Sequence, residues 1–228
     1  MTAMVDSIMQ ELKSSTQGLH DATEKGRFNK DLVMGRVPLE SYVDSLEQLY
    51  LVHQALEAKL RENHDSHPAF SAVLRDYQFQ EPYLLADIAF FKRDLGSIRA
   101  LEPTRRFIEA IDRIAKEEPV GLMGIHYVFE GSNNGSRHIS TALRRAYGFT
   151  GRDGTNYFDP YGDRQHEYWQ AFKQDMAAVR LTALERRAMV DAAAAAFQAV
   201  MELHAALGEN LPEASAAPAP RSGCPFGH

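Results

Sequence analysis

Apolar residues recur at steps of three and four along most of this chain, a period that only packed amphipathic helices can use. Val5, Ile8, Met9, Leu12, Thr16, Leu19 and Thr23 share one helical face, and the sequence ends that helix near Gly26. Pro38, at a first-turn position, opens a second long helix through Leu39, Tyr42, Val43, Leu46, Leu49, Tyr50, His53, Leu56 and Leu60. Asn63 to Pro68 reads as a turn, followed by short helical patterns over Ala69–Tyr77 and Tyr83–Leu95. A further helix opens at Pro103 and stops before Pro119, and a capping-box pattern, Thr182-Ala-Leu-Glu185, starts one that runs through Phe197, Val200, Met201 and His204 to a glycine stop at Gly208. Ile125 to Phe129, before Asn134-Gly135, has the look of a strand entering a hairpin. No alternating partner strand follows it, so it reads as a helix interrupted by glycines.

These patterns make the chain all-α, with about seven or eight helices in one domain over residues 1–208. Residues 209–228 form an Ala/Pro-rich tail that reads as a flexible linker ending in Cys224-Pro225-Phe226. The hydrophobic fraction of 44% is too high for a disordered chain, and the charged fraction of 25% interrupts any membrane-length apolar run. A single cysteine excludes an internal disulfide and a multi-thiolate zinc cage, and it suits a reducing, cytoplasmic compartment. The N-terminus has neither the basic leader nor the apolar core of a targeting peptide. With 25 Lys+Arg against 31 Asp+Glu, and the arginine pairs dispersed, nucleic acid is not an expected partner. Nine histidines are the compositional hint of chemistry.

Two constellations stand out. His20 and Glu24 are four apart, on one helical face and about 6 Å apart along the axis. A metal-binding imidazole commonly donates its other N–H to such a carboxylate, although a helix histidine satisfied by a neighbouring acid has the same spacing. In Tyr127-Val-Phe-Glu-Gly-Ser-Asn-Asn-Gly-Ser136, Gly131 and Gly135 lie one turn apart, and each costs a helix about 1 kcal/mol against alanine. Two bare positions on one face admit a flat ligand or another backbone; a loop between two helices is the competing reading. His64-x-x-His67 and Asp163-x-x-His166 have metal-compatible spacing without further ligands.

In combination and in this order, the motifs resemble the heme oxygenase family over about residues 5–208. Leu12-Lys-Ser-Ser-Thr16, His20, Glu24, Leu32, Gly35 and Val37 resemble its proximal segment. Tyr127 to Ser132 with Gly135 resembles the bacterial form of its glycine-containing distal helix. Tyr168-Trp-x-x-Phe172-Lys-x-x-Met176 resembles the helix bordering the propionate edge.

The resemblance implies heme held between a proximal and a glycine-kinked distal helix, with His20 as axial iron ligand and Glu24 as its partner. It implies oxidative cleavage of heme by O2 and external electrons, from a ferredoxin or flavoprotein reductase, to biliverdin, CO and ferrous iron. Gly131 and Gly135 would bring backbone close to the ring, Ser132 and the asparagines would supply protons, and Tyr127 would lie at the heme edge or in the core. Lys13 and Lys173 match the family's propionate-binding cations, with Arg137 and Arg164 behind them. Two departures are evident: Gly135-Ser136 replaces a glycine pair, and Ser132 stands where some members have aspartate. They keep open a carrier or sensor on the same fold, to which Cys224-Pro225 or His228 would add a second heme contact. A di-iron carboxylate oxidase needs paired Glu-x-x-His elements, and the sequence has none. Monomer is the default expectation.

Overall fold

A computed structural model describes residues 7–209 and Leu211. Within them the chain forms nine α-helices: α1 Ile8–Lys25, α2 Arg27–Val33, α3 Leu39–Glu62, α4 Pro68–Val73, α5 Glu81–Phe90, α6 Glu102–Glu117, α7 Leu122–Tyr147, α8 Gln165–Ala178 and α9 Ala183–Glu209. No strand occurs among the described residues. Cys224, His228 and most of the expected tail lie outside them.

Local chemistry sets the boundaries. The Ser7 hydroxyl accepts from the Gln10 N–H at 3.3 Å while the Gln10 side chain accepts from the Ser7 N–H at 2.9 Å, a reciprocal cap on α1. The same exchange starts α9, where Glu185 Oε2 accepts from the Thr182 N–H at 2.7 Å and Thr182 Oγ1 accepts from the Glu185 N–H at 3.3 Å. Gly148 ends α7 in the left-handed conformation at φ 74°. α9 continues one residue past the expected stop at Gly208, and Leu211 beyond it is buried.

α7 packs against α9, α3, α2 and α8, and α1 lies along α9. The α7–α9 contact depends on Gly124: a Cβ there would sit 2.0 Å from the Met189 carbonyl oxygen, so only glycine lets these two backbones meet. Leu12, Tyr42, Leu46, Leu56, Phe70, Ile111 and Phe172 are fully buried within this assembly.

Three sequence expectations change. α7 is not interrupted by its glycines: the helix runs unbroken through Gly131 and Gly135 for 26 residues, because packing on several sides holds a backbone that local propensity alone would loosen. α2 is an extra element, set off from α1 by the extended backbone of Gly26 and anchored by buried Phe28 and Leu32. The two short helical patterns are shorter than expected. α4 ends at Val73 before a single turn at Asp76–Gln78, and α5 ends at Phe90, with Lys92 at φ 54° turning the chain away.

Candidate functional site

α1, α2 and α9 form one wall of a cavity of about 450 Å³, and α7 forms the wall opposite. The volume falls in the range of small-molecule pockets, roughly 300–1,000 Å³. Ser45 and Leu49 of α3, with Tyr157 and Phe158 of the α7–α8 loop, complete the lining. Buried Asp87 sets that loop: its carboxylate accepts the N–H groups of Asn156 and Tyr157 at 2.8 and 2.9 Å and the Asn156 amide at 2.8 Å. Burial pushes Asp87 up to about 6 against those hydrogen bonds.

His20, Glu24, Tyr127, Gly131, Ser132 and Gly135 all line this cavity, although 111 residues of sequence separate Glu24 from Gly135. His20 is half exposed, with its ring edge-on to Phe197 of α9 at 6.1 Å. Its Nε2 lies 3.8 Å from Glu24 Oε1 and its Nδ1 lies 3.5 Å from Asp21 Oδ1, so two carboxylates flank the imidazole where the sequence suggested one. Hydrogen bonds from Gln17 and His20 hold the Asp21 carboxyl below its ordinary range.

On the facing wall, a Cβ added at Gly131 would meet only the Trp169 ring, at 3.7 Å, and one added at Gly135 would meet nothing within 4 Å. Helix backbone is therefore bare on this face. Asn133 is 3% exposed and lines the cavity, and its amide nitrogen has no partner among the described residues. An orphaned buried donor of this kind is costly unless a ligand or water meets it. The serine hydroxyls are engaged within the helix. Ser132 O–H donates to the Phe129 carbonyl at 2.7 Å and Ser136 O–H donates to the Asn133 carbonyl at 2.9 Å, so both protons are spent on their own helix. Tyr127 is on the wall, and burial raises its phenol above the ordinary value despite a hydrogen bond with Thr16.

Lys13 and Lys173 are not on the wall. Lys13 is exposed on α1, and the Lys173 ammonium lies 5.8 Å from the centre of the Trp169 ring, one side chain removed from Gly131. Arg137 pairs with Asp163 at 2.8 Å, and Arg164 pairs with Glu167 at 3.0 Å. Among the described residues no group of three or more His, Cys, Asp or Glu is placed to hold a metal ion. No helix among them is long and apolar enough to cross a membrane.

A match to the heme oxygenase family model spans residues 6–206. The chain belongs to the heme oxygenase family. Heme oxygenase 2 of Rattus norvegicus is 24% identical over 214 residues, covering 91% of this chain and 67% of that relative. Heme oxygenase of Guillardia theta is 27% identical over 179 residues, covering 75% of this chain and 72% of the relative. Two solved structures share the all-α fold. Heme oxygenase-1 of Synechocystis sp. PCC6803 in complex with heme superposes with a TM-score of 0.83 at 20% identity, covering 90% of this chain and 94% of that one. Heme oxygenase from Leptospira interrogans gives 0.82 at 18% identity, covering 88% and 100%.

Sequence reasoning left several features of this cavity unassigned. Phe197, Val200, Leu203, His204 and Leu207 bring α9 onto the cavity, a stripe legible only as core spacing. Three histidines, His20, His138 and His204, line the cavity; burial pushes His204 down to about 4, so it is neutral, its Nδ1 has no partner among the described residues, and its ring lies 5.3 Å from Phe28. Behind α7 lies a buried polar layer. Tyr161 O–H donates to Glu130 Oε1 at 2.5 Å and accepts from Gln80 at 3.0 Å, and burial pushes Glu130 up to about 8. His126, pushed down by burial to about 3, lies 3.2 Å from Gln78 Oε1.

Proposed function

We propose that this chain is an active heme oxygenase, binding heme between α1 and α7 and converting it, with O2 and electrons from a ferredoxin or flavoprotein reductase, to biliverdin, CO and ferrous iron. The observation that carries this reading is one cavity with His20 on one wall and the bare backbone of Gly131 and Gly135 on the other. The fit is physical: a flat, mostly apolar ligand suits walls of Phe28, Leu32, Phe158, Phe197 and Leu207, and the orphaned Asn133 amide needs an acceptor.

When bound, heme supplies the redox chemistry and is itself the molecule consumed. His20 would hold the heme iron through Nε2, from which Glu24 Oε1 at 3.8 Å lies beyond hydrogen-bond distance, while Asp21, 3.5 Å from Nδ1, would orient the imidazole and Glu24 would lie beside it. Gly131 and Gly135 would let a flat ring approach the α7 backbone closely, and the shape of that wall would restrict which part of the ring can react. Asn133 donates into the cavity, directly or through water. Lys13 and Lys173, on neighbouring helices α1 and α8, supply positive charge at the rim for the two propionates. Soluble turnover in the cytoplasm as a monomer follows the same reading.

Aerobic incubation of the heme complex with a reductase system tests it: biliverdin and released iron are expected. A stable ferrous-oxygen spectrum without open-chain product would favour the second reading, a heme carrier or sensor. The internal bonding of Ser132 and Ser136 favours that reading, since it removes two proton donors from the cavity.

A further inference from the structure

Two imidazoles in the core are paired: His53 Nε2 lies 3.1 Å from the Tyr157 hydroxyl, and His126 Nε2 lies 3.2 Å from Gln78 Oε1. His204 of α9 is not. Its Nδ1 is sealed from solvent with no hydrogen-bond partner among the described residues, while Nε2 stands at the accessible tip of a ring that lines the cavity. Burial leaves this ring neutral, so it carries one N–H. A sealed N–H without an acceptor is the costlier arrangement, so the proton sits on Nε2 and α9 presents a hydrogen-bond donor to the cavity. Its apolar neighbours, Phe28 at 5.3 Å between ring centres and Leu203 and Leu207 on the wall, offer that donor nothing to bond. Packing alone would be served as well by leucine or phenylalanine, without the cost of a polar ring. His138, the third histidine of the cavity, is exposed, where water is available to it.

The cavity has two ends. At one, Trp169 of α8 lies against Gly131, with the Lys173 ammonium 5.8 Å from its ring centre. At the other, the end of α2 meets α7: a Cβ added at Gly35 would lie 2.7 Å from the Ala142 carbonyl oxygen. His204 packs on Phe28 of α2 and so belongs to the second end. It stands seven residues beyond Phe197, the ring that His20 meets edge-on, which is about 10 Å along α9. That distance is out of reach of an iron held by His20 and within reach of the edge of a flat ring around it.

Resting on the function proposed above, we propose that His204 is a contact for the open-chain product, its Nε2–H donating to a terminal lactam oxygen of biliverdin. A ring seated with its propionates at Lys13 and Lys173 turns a hydrocarbon edge to the α2 end, so heme leaves the donor unsatisfied. Ring opening removes one bridging carbon as CO and leaves an oxygen on each of the two carbons it joined. The product therefore carries acceptors where the substrate carried only carbon and hydrogen, and the hydrogen bond forms after the ring has opened. No bond within His204 is made or broken, and its proton stays on Nε2. A donor that meets an acceptor only in the product discriminates against the closed ring that lacks one. It holds biliverdin against release and does not tighten heme.

Binding to the heme-free full chain tests the contact, read by quenching of Trp169, its single tryptophan. The probes are biliverdin and zinc protoporphyrin, a closed ring with the same two propionates. His204→Leu should weaken biliverdin about fivefold, the scale of one neutral hydrogen bond, and leave zinc protoporphyrin within about twofold or tighter. His204→Gln, which keeps a donor, should recover most of the biliverdin affinity. In the wild type, 15N NMR should show neutral His204 protonated at Nε2. Equal weakening of both probes by His204→Leu would mean that His204 holds a propionate. That result, unchanged biliverdin binding, a loss that His204→Gln does not recover, or a neutral ring protonated at Nδ1 overturns the contact. Failure of the wild type to make biliverdin from heme overturns the proposed activity, and the binding experiment still decides the contact because biliverdin is supplied. An active wild type whose His204 variants bind biliverdin normally overturns the contact alone.

Discussion

Two alanine substitutions in one helix should move stability in opposite directions. In an exposed helix interior, Gly→Ala stabilises by about 0.8–1.0 kcal/mol. At Gly135 nothing opposes that gain, because the new methyl meets no atom within 4 Å and the site is exposed. For a domain of this size about 1 kcal/mol corresponds to a rise in Tm of roughly 2–4 °C. At Gly124 the methyl would lie 2.0 Å from the Met189 oxygen and 2.8 Å from its carbonyl carbon, both backbone atoms that yield only if α7 and α9 separate. Overpacking of about 3 kcal/mol less the propensity gain leaves a net loss of about 2 kcal/mol, a fall in Tm of roughly 4–8 °C. Calorimetry of the heme-free protein measures both. Gly135→Ala should also weaken heme binding about tenfold, since its methyl occupies the cavity face. Destabilisation of the heme-free chain by Gly135→Ala would refute the reasoning, because it would make Gly135 a packing glycine like Gly124.

Burial holds Glu130 up to about 8, so the folded chain keeps a proton that the unfolded chain releases above pH 4.5, and the stability this confers is lost as pH rises through 8. Between pH 6.5 and 8 the Glu130 contribution falls by about 2 kcal/mol at 1.4 kcal/mol per unit, partly offset in the wild type by His126 and His204, whose unfolded-state titration at 6.5 raises stability over the same range. Urea unfolding should show that fall as the pH-dependent difference in stability between wild type and Glu130→Gln, and a difference that stays constant from pH 6.5 to 8 would refute it. Lys13→Ala and Lys173→Ala should each weaken heme binding about fivefold or less, the scale of exposed ion pairs, with the effect shrinking in high salt by fluorescence-quenching titration. Deleting residues 214–228 should leave ring opening intact in the biliverdin assay; loss of activity would bring Cys224 into the chemistry.

Most of the helices were legible because each is encoded within a few residues, as is the cap of Thr182 with Glu185; the equally local cap of Ser7 with Gln10 went unread. His20 with Glu24, and Gly131 with Gly135, were legible for the same reason: one helical turn relates each pair. Features made by distant segments were not. Tyr157 meets His53 across 104 positions, and Asp87 sets the Tyr157 loop from α5 across 70. Neither leaves a periodic trace. His53 read as one more residue of the α3 stripe, and His204 as part of an α9 core pattern, because apolar spacing does not distinguish a buried imidazole that packs from one that faces a cavity. Gly124 carried no signal, since its constraint is the Met189 carbonyl of another helix. The bond of Ser132 to its own preceding turn is open to any mid-helix hydroxyl and leaves no mark in the sequence.

The central claim is that His20 holds heme in the α1–α7 cavity for ring opening, and the ferrous heme complex of His20→Ala tests it most directly. Resonance Raman spectroscopy should show the wild-type iron–histidine stretch lost in the variant, with turnover abolished and then restored by added imidazole. Retention of the wild-type stretch in His20→Ala, with biliverdin still formed, would contradict the account and move the ligand to another side chain.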